Sequence, residues 1–326
     1  MNKADDRDSP LDEAVHRNPL SALRSRFHSH SYRAALAQLE RFASAADLPI
    51  LIEGESGTGK TTVARLVHES SARSAGPFHA VALSDVDDQF ASAELFGYLA
   101  GAFTGARTRR AGAMLSAAGG TLFLDEIGKA SRTFQHRLLN AIEAHEIRPI
   151  GSDRFIPVDV RIVAASNVAL SELAGRGEFI PDLYARLETL RVRLPSLRER
   201  RADIPRLVML SVERLAPNYG HSITPLVDPA LLEHLQRLDW PNNLRELEGT
   251  AHKLLMLGDK NEPLTLSLYD AVFPQSRSGK ARNRVSEERI AEVMESKRKK
   301  SEAARTLGIN RTTLWRRTRK PGRDEP

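Results

Sequence analysis

The chain has 326 residues, of which 41% are apolar and 28% are charged, as is ordinary for a globular protein with one large domain and smaller ones. It has no cysteine, which excludes disulfides and thiolate metal sites, and no apolar run approaches the roughly 18 residues of a membrane span. The net charge of +6 is uneven, because residues 276–326 hold 16 Lys and Arg against 7 Asp and Glu, which gives +9 there and −3 elsewhere. We expect a cytoplasmic protein without a membrane partner, whose basic end either binds a polyanion or is a solubilising tail.

The chain divides into five segments by pattern. Residues 1–30 are polar and without a clear period, which predicts a flexible segment. Apolar runs alternate with helical patterns over 31–197, which predicts an α/β subdomain with a parallel sheet covered on both faces. Leucines at helical spacing predict a small helical domain over 198–258, and the proline- and serine-containing stretch 259–284 is typical of a linker. A last helical unit is predicted over 285–326.

The segment GESGTGKT, residues 54–61, follows an apolar strand pattern and precedes a helical one. It fits a phosphate-binding loop, in which glycines let backbone N–H groups face the phosphates and a helix N-terminus adds positive charge. Lys60 is predicted to contact the β- and γ-phosphates of a nucleoside triphosphate, and the Thr61 hydroxyl to ligate Mg²⁺. A structural glycine-rich turn is the alternative. The predicted nucleotide-binding residues in this segment are Gly54, Glu55, Ser56, Gly57, Thr58, Gly59, Lys60, Thr61 and Thr62.

Two further strand ends carry polar groups suited to phosphoryl transfer. The apolar run GGTLFLDE, residues 119–126, ends in two carboxylates, which are costly there unless they have a role. Asp125 is predicted to hold Mg²⁺, partly through water, and Glu126 to orient and polarise the attacking water. Asn167 ends the next strand pattern and is predicted to sense the γ-phosphate, although an asparagine at such a place is as often a helix N-cap.

The basic end of the chain contains SEAARTLGINRTTLWRRTR, residues 301–319, which predicts a helix-turn-helix. Small apolar residues form a first helix face, Gly308 breaks that helix, and the second helix places Leu314 inward and its arginines outward. A basic amphipathic helix without a DNA role is the alternative. The predicted DNA contacts are Arg311, Thr312, Thr313, Arg316, Arg317 and Arg319.

The hexapeptide GAFTGA, residues 101–106, is by composition a turn that carries an exposed apolar tip at Phe103. With its neighbouring motifs it resembles the sigma-54-dependent transcriptional activators, which are bacterial enhancer-binding proteins of the AAA+ class. The match covers roughly residues 31–255, and the C-terminal 40 residues resemble the Fis-like DNA-binding domain of the same family. The motifs that carry the resemblance are ELFGYLAGAFTGA (94–106), GGTLFLDE (119–126), DLYARL (182–187), RLPSLRER (193–200) and WPNNLRELE (240–248).

The resemblance implies a P-loop ATPase with a parallel sheet and a small helical lid, assembled as a ring, usually a hexamer. It implies that Arg186 is an arginine finger that acts on the neighbouring subunit, and that Arg245 is the sensor arginine of the lid. On the sequence alone, a surface ion pair is the alternative for Arg186. The residues implied to contact the sigma factor are Gly101, Ala102, Phe103, Thr104, Gly105 and Ala106.

The sequence departs from the family pattern at several places. Ile180 stands near the place where the family has a first trans-acting arginine, and Ala82 stands where an asparagine restrains the catalytic glutamate. Pro149 and Asn242 replace the residues usual in their motifs. Loss of a finger-type arginine costs about a thousandfold in other phosphoryl-transfer sites. We therefore expect either weak hydrolysis by the chain alone or mixed rings in which a related subunit supplies the missing groups.

These observations predict a DNA-bound activator that uses ATP hydrolysis to remodel the closed complex of the sigma-54 RNA polymerase holoenzyme. Upstream enhancer DNA is the second expected partner. Because about 30 residues precede the ATPase pattern, regulation is expected from a separate protein, from expression level or from a partner subunit. The alternatives are a DNA-binding regulator with a degenerate ATPase and another AAA+ machine, such as a helicase loader.

Overall fold

The computed structural model describes residues 18–45, 48–83, 88–260 and 262–274. Contacts divide the chain into two units at Tyr269, and all but the last five described residues belong to the first unit. The strands are β1 (Ile50–Glu53), β2 (Phe78–Ala82), β3 (Gly97–Tyr98), β4 (Arg110–Ala111), β5 (Thr121–Asp125), β6 (Glu146–Ile147), β7 (Ile156–Pro157), β8 (Arg161–Ser166) and β9 (Leu190–Arg193).

The helices alternate with these strands at first and then follow one another. They are α1 (Pro19–Ser25), α2 (His30–Ala43), α3 (Lys60–Glu69), α4 (Asp88–Phe96), α5 (Ala113–Ser116), α6 (Arg132–Ala144), α7 (Leu170–Gly175), α8 (Pro181–Leu187), α9 (Ile204–Leu215), α10 (Pro229–Arg237), α11 (Asn243–Leu257) and α12 (Leu266–Val272). Short 3₁₀ helices span Ile127–Lys129, Leu197–Asp203 and Ala216–Tyr219.

Five strands form one parallel sheet in the order β2-β5-β8-β1-β9. The central strands are buried on both faces, which is why their sequences are continuous apolar runs. Leu51 packs in the core on one face, whereas Ile50 and Ile52 pack in the core on the other. The predicted parallel sheet with helices on both faces is therefore confirmed. Its order places the carboxyl ends of β1, β8 and β5 side by side.

Two small antiparallel pairs lie outside this sheet. β3 pairs with β4, and β6 pairs with β7. The Leu99 N–H donates to the Ile150 carbonyl at 3.0 Å, and the Ile150 N–H donates to the Gly97 carbonyl at 2.9 Å. The loop between β3 and β4 contains residues 101–106, and its base is therefore hydrogen-bonded to the segment between β6 and β7.

Two predicted segments are wrong in part. Residues 18–30 were predicted as flexible, but α1 forms there because the Asn18 side chain accepts the Leu20 N–H at 2.9 Å and Leu20 is fully buried. The linker predicted from residue 259 is also wrong over its first part, since Leu264 and Tyr269 are buried. Leu264 forms a bridge with Val227, so the helical domain extends past residue 258.

Candidate nucleotide site and GAFTGA loop

The phosphate-binding loop connects β1 to α3 and has the backbone conformation that its glycines predict. Gly57 has a φ of +76°, and a Cβ added there would lie 2.2 Å from the Asn242 carbonyl oxygen. The Lys60 ammonium is buried and donates to the carbonyls of Gly54 and Glu55 at 2.6 and 3.0 Å. Burial lowers the pKa of Lys60, and the negative charges of the nearby carboxylates oppose this. A buried cation at the centre of a glycine-lined cradle fits a phosphate group.

The predicted magnesium ligands lie next to each other. The Thr61 hydroxyl donates to Asp125 Oδ2 at 3.3 Å, and the other carboxylate oxygen accepts the Glu126 N–H at 3.0 Å. Thr61 is the second residue of α3 and Asp125 ends β5, so two elements distant in sequence bring the predicted pair of oxygen ligands together. A hydroxyl beside a carboxylate is a donor set that suits Mg²⁺.

Glu126 follows Asp125 in a left-handed conformation, with a φ of +57°. Its carboxylate is half-buried and lies 2.5 Å from the Lys129 ammonium, an ion pair that the sequence did not predict. Asn167 comes directly after Ser166, which is in register with Glu53 at the end of β1. The structure therefore brings Asn167 to the same sheet edge as the phosphate-binding loop and Asp125.

The helical domain closes over the phosphate-binding loop through one turn at the start of α11. The Asn243 side chain is fully buried, donates to the Ser56 carbonyl at 2.9 Å and to Glu55 Oε2 at 3.3 Å, and accepts the Leu197 N–H at 2.6 Å. The Leu244 N–H donates to the Gly57 carbonyl at 2.9 Å. This lid contact was not predicted, because nothing in WPNN indicates which distant groups its asparagines meet.

Two arginines extend this lid contact at the surface. Arg245, predicted as the sensor arginine, donates to Ser56 Oγ at 3.1 Å. Arg198 donates from both ends of its guanidinium to the Glu55 carboxylate, and this pairing lowers the pKa of Glu55. The predicted residues Glu55, Ser56 and Arg245 are therefore brought together, whereas Thr62 is exposed on α3.

The predicted arginine finger lies apart from this cluster. Arg186 is on α8, its side chain is 59% exposed, and it pairs with Glu143 at 3.2 Å. Among the described residues it makes no hydrogen bond to the phosphate-binding loop of its own chain. Ile180, at the start of the same helix, is buried in the core and its N–H donates to Gln135 Oε1 at 2.8 Å. Ala82 ends β2 in register with Asp125 and provides only a methyl group there.

The GAFTGA loop is closed by its own backbone. The Gly101 N–H donates to the Ala106 carbonyl at 2.7 Å, and the Ala106 N–H donates to the Phe103 carbonyl at 3.0 Å. The prediction of an exposed Phe103 tip is wrong for this conformation, because the ring is half-buried against Tyr98, with centroids 5.0 Å apart. Thr104 is exposed at the tip instead.

The predicted DNA contacts at residues 311–319 lie outside the described residues. Within the described part of the chain, no helix is both long enough and apolar enough to cross a membrane. The same part contains no cluster of three or more His, Asp or Glu side chains arranged to hold a metal ion. A magnesium ion at Thr61 and Asp125 would therefore need further oxygen ligands from water or from substrate.

The sheet order, the phosphate-binding loop and the lid define a P-loop NTPase fold of the AAA+ class. Three family models match in chain order: the sigma-54 interaction domain over residues 26–193, the AAA+ ATPase lid domain over 198–285, and the bacterial regulatory protein, Fis family, over 282–320. The chain therefore belongs to the family of sigma-54-dependent transcriptional regulators, as the sequence motifs indicated. The lid match also supports a helical domain that extends past residue 258.

Similar proteins agree with this assignment. The transcriptional regulatory protein ZraR of Escherichia coli K12 is 40% identical over 276 residues, which is 82% of this chain and 62% of ZraR. The C4-dicarboxylate transport regulator DctD of Pseudomonas aeruginosa is 38% identical over 286 residues, which is 86% of this chain and 60% of DctD. The chain thus spans about six tenths of these curated relatives.

Solved structures of NtrX from Brucella abortus are similar to this chain over most of its sequence. One has a TM-score of 0.70 at 30% identity, with 94% of this chain and 70% of NtrX covered. Another, of NtrX in complex with ATP, has a TM-score of 0.67 at 30% identity and covers 94% of this chain and 72% of NtrX.

Proposed function

We propose that this chain hydrolyses ATP and uses the reaction to remodel the closed complex of the sigma-54 RNA polymerase holoenzyme. The observation that carries the proposal is the convergence of Lys60, Thr61, Asp125 and Glu126 at one sheet edge, under a lid turn that contacts the loop directly. The solved NtrX complex with ATP, which is 30% identical to this chain, supports nucleotide binding here.

The chemistry follows from the side chains present. Water attacks the γ-phosphorus, the bond to the β-phosphate oxygen breaks, and ADP and inorganic phosphate leave. Glu126 orients the water and accepts its proton, while Lys60 stabilises charge on the phosphate oxygens. Thr61 and Asp125 would hold Mg²⁺, which neutralises phosphate charge when bound. Asn167 contacts the γ-phosphate, and Arg186 of a neighbouring copy in a ring, usually hexameric in this family, stabilises the transferring group.

Under the same proposal, the GAFTGA loop binds the sigma factor and the basic C-terminal region binds DNA. The exposed Thr104 and the Phe103 ring contact the sigma factor when the nucleotide state displaces the loop from Tyr98. The Fis-type region binds enhancer DNA upstream of the promoter and concentrates the ring near the polymerase.

Two variants test the reaction and its use. Glu126→Gln keeps the shape of the side chain and removes the base, so ATP binding is retained while turnover falls by about a hundredfold or more. Thr104→Ala leaves turnover intact and abolishes transcription from a sigma-54 promoter in a reconstituted system. Full transcription by the Thr104 variant would remove the assignment of the loop, and full turnover by the Glu126 variant would remove the assignment of the base.

A second candidate is a DNA-binding regulator with a weak ATPase that acts as a subunit of a mixed ring. The buried position of Ile180, directly before α8, favours this candidate. The described helix α8 contains one arginine, Arg186, so it can present one arginine finger to a neighbouring subunit and not two. ATP turnover measured across protein concentration separates the two. A rate per subunit that rises with assembly to that of a typical activator supports the first candidate, and a rate that stays near zero until a related subunit is added supports the second.

A further inference from the structure

Lys129 holds the proposed catalytic carboxylate. Its ammonium lies 2.5 Å from Glu126 Oε2, and the two residues are three apart across the 3₁₀ helix Ile127–Lys129. Glu126 Oε2 is buried and has no hydrogen-bond partner of good geometry among the described residues. The ion pair with Lys129 is therefore the interaction that compensates the negative charge of this oxygen. The side chain of Lys129 is 41% exposed, whereas that of Glu126 is 25% exposed.

The backbone that carries Lys129 is fixed against the sheet. A Cβ added at Gly128 would lie 3.0 Å from a Leu173 methyl and 3.2 Å from Ser166 Oγ, so this turn packs closely on α7 and on the end of β8. Glu126 itself is in the left-handed region, and its carbonyl accepts the Lys129 N–H at 2.9 Å. The Lys129 ammonium is therefore carried by a closely packed turn, and we expect the pair to separate by side-chain rotation rather than by backbone movement.

The neighbouring strand gives Glu126 no comparable restraint at Ala82. Ala82 is in register with Asp125, and its methyl group has no hydrogen-bonding atom. A polar side chain at this place could hold the carboxylate from the strand side. In this chain the restraint comes instead from the residue three positions after the carboxylate.

We propose that Lys129 is a positioning residue that holds Glu126 in a resting orientation and so lowers the basal rate of ATP hydrolysis. This inference rests on the proposed role of Glu126 as the group that orients the attacking water. A carboxylate held against an ammonium must leave that contact to reach a water beside the γ-phosphate. Separation of the pair is thus a step that the assembled ring or its partner accelerates.

The test compares Lys129→Met with Lys129→Arg, in the wild-type background and in Glu126→Gln. Lys129→Met keeps the length of the side chain and removes the charge, so kcat rises about three- to fivefold, as expected for loss of a partly exposed ion pair. KM for ATP stays within twofold, because the substitution leaves the phosphate-binding loop and the contacts of Lys60 unchanged. Lys129→Arg keeps a cation at this position, so its kcat stays near that of the wild type.

A second readout does not depend on turnover. The midpoint temperatures of unfolding of the two single variants and of the double variant form a cycle, measured without nucleotide. We expect the double variant to lose less than the sum of the single variants, because Lys129→Met alone leaves a buried carboxylate oxygen unpaired. Strict additivity would show that the two side chains do not interact and would overturn the inference.

The remaining outcomes separate this inference from the proposed function. If Glu126→Gln abolishes turnover but Lys129→Met leaves kcat unchanged or lowers it, Glu126 keeps its role and the restraint by Lys129 is refuted. If Glu126→Gln retains turnover, the proposed role of Glu126 fails and the inference fails with it. If the double variant hydrolyses ATP as fast as Lys129→Met, the gain does not pass through Glu126, which overturns the inference.

Discussion

The phosphate-binding loop and the GAFTGA loop both depend on glycines with positive φ, but for different reasons. Gly57 has no room for a side chain, because the Asn242 carbonyl lies 2.2 Å from where its Cβ would be. Gly101 and Gly105 have φ values of +81° and +100°, and a Cβ on either would meet nothing within 4 Å. At the nucleotide end, glycine allows close packing, whereas at the GAFTGA loop it allows only the backbone conformation.

This difference indicates that the nucleotide end is held in one conformation, whereas the GAFTGA loop can be displaced. The nucleotide end is held by the buried Asn243, by the Leu244 N–H and by the bidentate contact of Arg198 with Glu55. The GAFTGA loop is held by its own turns and by the contact of Phe103 with Tyr98. Lower local contact density corresponds to a lower free energy of local opening, so we expect motion at the loop and not at the nucleotide end.

The largest expected effect comes from the centre of the nucleotide end. Lys60→Ala removes the buried cation of the cradle, so turnover falls by about a hundredfold or more and ATP affinity falls with it. Lys260→Ala, an exposed lysine of the helical domain, is the matched control. Both are measured by steady-state hydrolysis and by fluorescent nucleotide binding. Retention of ATP affinity in Lys60→Ala would show that the cradle does not bind phosphate as described.

Substitution by alanine is expected to have different effects on ATP affinity at Gly57 and at Gly105. Gly57→Ala places a methyl group against the Asn242 carbonyl, so the lid must shift, and ATP affinity falls about tenfold or more. Gly105→Ala strains only the backbone, at about 1 kcal/mol, and leaves ATP affinity unchanged. Urea unfolding and nucleotide binding on both variants give the comparison. Equal losses of affinity would mean that the two loops are coupled more tightly than the contacts indicate.

The sequence predicted the parts of the site that lie within continuous motifs. The structure brings Lys60, Thr61, Asp125 and Glu126 together because their motifs lie at the carboxyl ends of β1 and β5, which share one sheet edge, and their catalytic roles stay predictions. The contacts that Asn243 and Leu244 make with the phosphate-binding loop were not predicted. Asn243 reaches Ser56 across 187 positions of sequence, and periodicity carries no signal for such a meeting.

Other misses have a local physical cause. The exposed tip predicted at Phe103 is wrong because an apolar ring beside another ring is better buried than solvated, and Tyr98 lies close enough to cover it. Helix α1 was missed although Leu20, Leu23 and Phe27 have helical spacing and pack in one core, because this short pattern lies at the end of a polar segment. The Lys129 ion pair was missed because a glutamate and a lysine three positions apart do not by themselves indicate that their side chains meet.

A moderate effect is expected at the lid turn. Asn243→Ala leaves the Ser56 carbonyl and the Leu197 N–H without their partner, so the free energy of unfolding falls by about 1–3 kcal/mol. ATP affinity falls as well, because the lid no longer fixes the phosphate-binding loop. Asn242→Ala is the control, since Asn242 is exposed and contacts Gly57 only through its backbone carbonyl. If Asn242→Ala lost as much stability as Asn243→Ala, the loss would come from the backbone turn at these residues and not from the buried amide of Asn243.

The smallest expected effect lies at the support of the GAFTGA loop. Tyr98→Ala removes the ring that covers Phe103, whereas Tyr98→Phe keeps it, so the alanine variant alone loses stability, by about 0.5–1.5 kcal/mol. ATP turnover stays within twofold in both, because the nucleotide end does not depend on this contact. Binding of the sigma factor to Tyr98→Ala becomes about two- to tenfold tighter, since Phe103 no longer has to leave Tyr98 before it is exposed. Weaker binding at unchanged turnover would contradict this view and would make Tyr98 part of the contact surface itself.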